Sequence, residues 1–315
     1  MEHKHFHTTE EISQKLKLSI LLNSIIIGVQ VVGGLVANSL GLLSDAGHNF
    51  TDLGALVLSW FAVSQTAKPA TFRKTFGYHR AGVLTALANS AALILLTVVI
   101  FYEAYLRILN PEPVAGALTF IVAAIAFAAN MAIALILRAS AKENINVKSS
   151  FLHMLGDAMV SLGVMVAAVI IIFTRLYIVD PIISMVIGVV IAYGAWQIID
   201  ESVHILLEGT PHGIHVDEVL KTLISIKGVR DIHDLHIWSL GSRVHALSCH
   251  VFVNDVKISD SVTILDAINA TLLHDFGIGH TTIQLESSFC ESNYLYCDLA
   301  NHTKIPKEIS HGHNH

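Results

Sequence analysis

The chain predicts an α-helical membrane protein of six transmembrane helices, followed by a cytoplasmic α+β ferredoxin-like domain of order αββαβ. Three observations carry that prediction. Apolar stretches of about 20 residues, the length a bilayer core demands, recur six times before residue 202. Over 315 residues the composition is 53% hydrophobic and only 14% charged, too apolar for an ordinary soluble protein and too long for a single anchor. Beyond Glu208 the pattern changes to short helical and alternating segments separated by Gly and Pro.

The spans read as Leu18 to Ala37, Leu40 to Val63, Ala81 to Leu106, Ala117 to Leu137, Ser150 to Phe173 and Ile182 to Ile199. Residues 1–17 form a polar lead with His3, His5 and His7. His3, Glu10 and Glu11 precede any apolar core and no cleavage-type sequence follows, so the first helix reads as retained rather than as a signal peptide. Lys15 and Lys17 precede span one, Lys68, Arg73, Lys74 and Arg80 separate spans two and three, and Arg138, Lys142 and Lys148 separate spans four and five. The opposite connections hold only Arg107 and Arg175. The positive-inside rule then places both termini in the cytoplasm of a multi-pass protein of the plasma (inner) membrane, with lipid as its surroundings.

Glu208-Gly209-Thr210-Pro211 reads as a helix stop, since Gly favours a C-cap and Pro cannot continue a helix. The boundary is set there, giving a membrane domain 18–208, a soluble domain 209–290 and a tail 291–315 that ends in His311, His313 and His315. In the soluble domain, Val216 to Ile226 has helical spacing, and Val229 to Leu240 and Arg243 to Val253 alternate as strands joined at Gly241-Ser242. Ser259 to Asp275 is a second helix with Ser259 and Asp260 as cap candidates, and Thr281 to Glu286 is the last strand.

All three cysteines, Cys249, Cys290 and Cys297, fall in the soluble portion beyond Glu208, on the reducing side of the membrane by the topology above. Metal binding or plain burial is therefore expected rather than disulfides. A net charge of −6 gives no support to nucleic-acid binding.

Two HxxxD pairs, His48/Asp52 and His153/Asp157, lie inside spans two and five, where an ionisable group costs roughly 3 kcal/mol or more unless it is used. Spacing by four puts both side chains of a pair on one helix face, and the two pairs share one offset of 105 residues, from 48 to 153 and from 52 to 157. The spans run in opposite directions, so the motifs would meet antiparallel. Two imidazoles and two carboxylates directed at one point outline a tetrahedral zinc site. Occupied, the site is charge-neutral; emptied, it leaves two buried carboxylates to be compensated, most simply by protons, which couples metal release to proton uptake. Polar helix packing is the competing reading, disfavoured because four costly groups must be justified together. Asp45, one turn before His48, reads as a structural hydrogen-bonding residue. Counted from the outer span ends, His48 is about nine residues deep and Asp157 about sixteen, an expected mismatch of roughly 10 Å.

The motifs NSLGLLSDAGHNFTD, TFGYHRAGVLTALAN, LHMLGDAMVSLG, VDPIISM, HDLHIWSL and HTTIQLE stand in this order along nearly the whole chain. With them the chain resembles the cation diffusion facilitator family, in its branch of bacterial and eukaryotic zinc transporters. The resemblance implies a homodimer that exports Zn²⁺ from the cytosol in exchange for protons by alternating access, with His48, Asp52, His153 and Asp157 as the transport site. His48, where other members carry Asp and accept cadmium or iron more readily, implies relative selectivity for zinc. Arg80 and Glu208 match the charges that hold the membrane halves of the dimer together. Some relatives carry a further site between spans two and three; Lys74 and Tyr78 stand where its ligands would be, and none is expected here. The family's cytoplasmic zinc site maps to His233, His250 and Glu286, with Cys290 and Cys297 as additional candidates. His236, His245 and His280 are expected at the surface or on backbone groups.

Zn²⁺ is thus both the expected cargo and a candidate regulatory ligand. A membrane metalloenzyme is the first alternative, and the absence of HExxH or a comparable intramembrane general-base Glu counts against it. A metal sensor is the second, and it would leave six spans with their own buried site unexplained.

Overall fold

The computed structural model describes residues 23–66, 70–138, 145–241 and 244–287. Outside these lie the two His-bearing tails, Lys15 and Lys17, the start of span one, Lys68, Lys142, the Ser242 half of the predicted hairpin joint, Cys290 and Cys297. Two compact units form, one within Met1–Ala67 and Leu84–Ser202, the other within Lys68–Val83 and Val203–His315.

The first unit is helical: α1 (Asn23–Ala37), α2 (Leu40–Thr66), α3 (Ala81–Leu109), α4 (Gly116–Leu137), α5 (Ile145–Thr174) and α6 (Val179–Leu206), the last turns of α6 and the first of α3 belonging to the second unit. Among the described residues, four of them, α3, α4, α5 from Phe151 and α6, are long and apolar enough to cross a membrane. Their apolar side chains also face outward, as Leu95, Ile136, Tyr193 and Trp196 do, which suits lipid rather than water as the surrounding solvent. Small residues let the helices approach, as where Gly47 passes so close to Leu96 that a Cβ would fall 2.7 Å from it. Ala37, Leu42, Leu93, Val122, Val164 and Ile187 fill the core between them.

The turn from α1 to α2 is tied from three sides. Asn38 takes the left-handed conformation that closes α1 (φ 52°), and Ser39 N–H reaches back to the Gly34 carbonyl at 2.9 Å. Arg107 at the end of α3 donates to the Asn38 carbonyl at 2.8 Å and to its Oδ1 at 2.9 Å. Asp180, in the first turn of α6, caps α2 from outside: it accepts from Ser39 Oγ at 2.6 Å, Leu40 N–H at 2.6 Å and Gly41 N–H at 3.3 Å.

The second unit runs α7 (Val216–Ile224), β1 (Val229–Gly241), β2 (Val244–Val253), α8 (Ile258–Phe276) and β3 (Ile278–Glu286). β1 pairs antiparallel with β2, and β2 parallel with β3, α8 supplying the crossover that a parallel pair requires. Val219, Leu223, Leu235, Leu247, Val251, Ile268 and Leu272 bury together between sheet and helices. Segment 70–80 packs here too: Phe76 meets the His280 ring edge-on at 5.5 Å, and Gly241 lies so near the His79 carbonyl that a Cβ would come within 2.8 Å.

Local corrections follow from backbone geometry. The left-handed stop after α6 is Glu208 (φ 62°), not Gly209, which instead leaves room for the His204 imidazole. α8 begins at Ile258, so Lys257 is its N-cap residue, without a side-chain cap, and Ser259 and Asp260 fall inside the first turn, where Ser259 Oγ donates to Asp260 Oδ1 at 3.1 Å. β3 starts three residues earlier than its alternation suggests, since left-handed Gly277 (φ 67°) closes α8 and turns the chain directly into the strand.

Candidate metal centres

The two HxxxD pairs meet, and the register of α2 against α5 explains how. A Cβ on Gly41 would touch Val164 at 3.6 Å, Asp45 accepts from Ser161 Oγ at 2.8 Å, His48 Nε2 lies 3.4 Å from Asp157 Oδ1, and His153 Nε2 lies 3.3 Å from Asp52 Oδ2. Every step along α2 is matched by a step of similar size back along α5, so the helices are antiparallel. The same contacts remove the depth mismatch. α2 begins beside Val164, whereas α5 continues to Thr174, about 15 Å further at 1.5 Å per residue. The outer ends of the two helices do not share a level, so residues at different distances from those ends meet side by side.

The four side chains form a closed ring in which each Nε2 faces both carboxylates. His48 Nε2 is 3.5 Å from Asp52 Oδ2 as well as 3.4 Å from Asp157, and His153 Nε2 is 3.7 Å from Asp157 Oδ2 as well as 3.3 Å from Asp52. A tetrahedral zinc with bonds of about 2.0–2.1 Å spaces its ligand atoms about 3.3–3.4 Å apart, so the ring already has the edge length such an ion needs. His48, Asp52 and Asp157 place one ligand atom each within 4.8 Å of one another; His153 closes the ring from the far side, its ring centroid 6.2 Å from that of His48. His48 Nδ1 is buried without a hydrogen-bond partner, as are Ser90 Oγ on α3 and both amide atoms of Asn130 on α4.

One turn further along lies a polar cluster that pattern reading left incomplete. Asp45 Oδ2 accepts from Gln30 Nε2 at 2.6 Å and from Ser161 at 2.8 Å, while Asn49 Nδ2 donates to Gln30 Oε1 at 3.0 Å and to Asp45 Oδ1 at 3.4 Å. All four side chains are buried. The structural role expected for Asp45 has named partners here, and Gln30, Asn49 and Ser161 were legible only as polar residues in apolar spans.

In the second unit, His233 on β1 stands opposite His250 on β2, and Phe252 opposite Glu286 on β3. Glu286 therefore reaches both imidazoles: Oε2 is 3.3 Å from His233 Nε2, and Oε1 is 3.0 Å from His250 Nδ1. The three ligand atoms lie within 4.8 Å of one another. A register irregularity between His233 and His236 lets Asp234 adopt a left-handed backbone (φ 49°), which brings its Oδ1 to 3.1 Å from His236 Nε2 and its Oδ2 to 3.9 Å from His250 Nε2.

Residues 16–207 match the cation efflux transmembrane domain, and residues 211–288 match the cytoplasmic domain of cation efflux proteins. The chain belongs to the cation efflux family. Among its relatives in that family is a cadmium, cobalt and zinc/H⁺-K⁺ antiporter of Bacillus subtilis, 36% identical over 98% of this chain and 99% of its own length. The zinc transporter ZitB of Pectobacterium atrosepticum is also 36% identical, over 100% of this chain and 99% of its own. Among solved structures, the metal-bound C-terminal domain of the CzcD transporter from Cupriavidus metallidurans is 34% identical, covering 23% of this chain and 99% of that one with a TM-score of 0.22. This is a membrane protein of the cation efflux family, with its apolar helices followed by the family's cytoplasmic domain.

Other residues singled out by the family resemblance fall as follows. Arg80 Nη2 and Glu208 Oε1 pair at 3.1 Å within one chain, Arg80 half-buried and Glu208 exposed. Lys74 Nζ sits over the Tyr78 ring at 4.8 Å, a cation–π contact in the connection where no metal site was expected. His280 lies at the surface against Phe76, as expected, while His236 Nε2 is 3.1 Å from Asp234 Oδ1 and His245 Nδ1 lies 3.3 Å from Ser239 Oγ. Cys249 is buried in the core of the sheet, and burial pushes its thiol up to about 12.

Proposed function

We propose that this chain is a secondary active transporter that exports Zn²⁺ from the cytosol in exchange for H⁺ by alternating access. It works as a homodimer in the plasma (inner) membrane, with six spans, both termini cytoplasmic and a ferredoxin-like cytoplasmic domain. The observation that carries this reading is the ring of two Nε2 atoms and two carboxylates at 3.3–3.7 Å inside the membrane unit. Neutral imidazole and carboxylate together suit zinc better than the hard, all-oxygen preference of Mg²⁺ or Ca²⁺. The bound cation cancels both carboxylate charges. Its departure leaves them in a medium of low dielectric, where the proton is the smallest compensating cation, so release and proton uptake are linked.

α1 and α2 complete the six spans. α2 is 27 residues long, and Asp45, His48 and Asp52 lower its apolar character without shortening it. His233, His250 and Glu286 are proposed as the regulatory zinc site, with Cys290 and Cys297 as candidates to complete it. Arg80 and Glu208 are proposed to support the dimer by fastening the start of α3 to the end of α6 in each subunit.

Zinc flux into proteoliposomes under an imposed pH gradient tests the reading. Asp157→Ala reduces flux to the protein-free background; transport at the wild-type rate would remove the assigned site. His48→Asp raises cadmium flux relative to zinc. Retained flux after deletion from Gly209 onward would assign the cytoplasmic domain a regulatory part.

A further inference from the structure

Asp45 is a carboxylate buried in the membrane unit that neither metal centre uses. Its three donors, Gln30 of α1, Asn49 of α2 and Ser161 of α5, are all neutral. In an apolar medium, a hydrogen bond to a charged acceptor is worth more than one between neutral groups, and leaving the acceptor unpaired is costly. A helix contact made through such a bond has two states: it is closed, or it is open with water at the carboxylate. Apolar ridges, by contrast, slide with little penalty.

The location of this contact gives it a use. Asp45 and Ser161 are the next rung of the α2–α5 ladder after His48 and Asp157, on the side toward the α1–α2 turn. Burial changes across those rungs. Asp45 and Ser161 are fully buried and Asp157 nearly so, whereas the His153 side chain is 45% exposed. The four-ligand ring is therefore shut on the Asp45 side and open on the His153 side.

We propose that Asp45, held by Gln30 and Ser161, is the latch that closes the outer side of the transport site, so that α1 and α5 part from α2 there only when water reaches the Asp45 carboxylate. This rests on the export reading and on the orientation given with it. The latch makes outward opening an all-or-none event coupled to wetting of the exit path, and its removal favours the outward-open arrangement. Asp45 acts here through helix position; it is not a ligand.

The test is amide hydrogen exchange by mass spectrometry on the full-length, zinc-free protein in lipid nanodiscs. Ser161→Ala deletes one donor, and Gln30→Met deletes one donor together with the Oε1 that accepts from Asn49, with helix propensity and approximate volume kept. Either variant raises exchange in the segment from Ile26 to Gly47 about tenfold, the scale of one hydrogen bond to a charged group. Ser161→Thr, which keeps the hydroxyl, stays near wild type. Zinc affinity measured by calorimetry changes less than threefold in all of them. Wild-type exchange in both deletion variants would overturn the latch. So would unchanged exchange with zinc affinity weakened more than tenfold, which would make the cluster a support for the ligands instead. Because exchange is read without zinc or flux, this outcome is independent of whether Asp157→Ala abolishes transport.

Discussion

Asp180 offers the sharpest test of how the membrane unit holds its metal-bearing helix. Its buried carboxylate accepts three bonds at the start of α2, from Ser39 Oγ and from the Leu40 and Gly41 N–H groups that have no partner within the helix. Asp180→Asn preserves shape but leaves a single amide oxygen to accept, so one of the two oxygens that face the helix start becomes a donor. The Leu40 N–H at 2.6 Å from Oδ2 is then unsatisfied. A hydrogen bond to a charged group contributes about 1.5–3 kcal/mol, and the negative charge at a partly buried helix N-terminus about 1–2 kcal/mol more. The expected loss is about 2.5–5 kcal/mol, which at roughly 2–4 °C per kcal/mol for a unit of this size lowers the apparent Tm by about 5–20 °C. Tryptophan fluorescence during heating of the purified, zinc-free protein reads this directly. Asp180→Ala, which removes both acceptors, falls further. An apparent Tm for Asp180→Asn within 1 °C of wild type would refute the cap as an energetic tie and leave it a mere proximity.

Two further outcomes concern the second unit. Cys249 resists iodoacetamide at pH 8 in the folded protein and reacts after denaturation, as peptide mass spectrometry would show, because its thiol sits at about 12 instead of the ordinary 9.0. The sign for stability follows: between these values the unfolded chain loses the proton and the folded chain keeps it, so the contribution is whole below pH 9 and is lost as pH rises toward 12. In an Asp157→Ala background that silences the transport site, zinc at 100 times its dissociation constant stabilises the protein by about 2.7 kcal/mol; His250→Ala abolishes that gain in a thermal shift, and a full gain in that variant would exclude His250 as a ligand.

The HxxxD pairs were legible because helical spacing is local: residues four apart share a face whatever the rest of the chain does. Their antiparallel meeting followed from counting spans. The depth mismatch is of a different kind, since helix length shows in hydropathy but the offset between two helices does not; α5 overshoots the start of α2, and the rungs from Gly41 beside Val164 to Asp52 beside His153 reveal it. Two partners of Asp45 were hidden for the same reason. Asn49 shares its helix face at a spacing of four, but Gln30 and Ser161 stand on α1 and α5, and which polar face turns toward which depends on rotation and packing. In the C-terminal unit, alternation marked His233 and His250 as strand residues, while the bulge that turns Asp234 toward the imidazoles left no mark in the pattern.

By itself the sequence determined what is carried by local periodicity and by solvent preference: a helical membrane part with its apolar spans, a smaller α+β unit, and four ionisable groups too costly in hydrocarbon to be idle. Tertiary structure alone decided the relative offset of α2 and α5, the 3.3–3.7 Å spacing of the ring and the buried rung beside it. Those depend on how side chains from helices distant in sequence interlock. That interlocking follows from the shape and small size of residues such as Gly41 and Gly47 acting together, and no short window of sequence contains it.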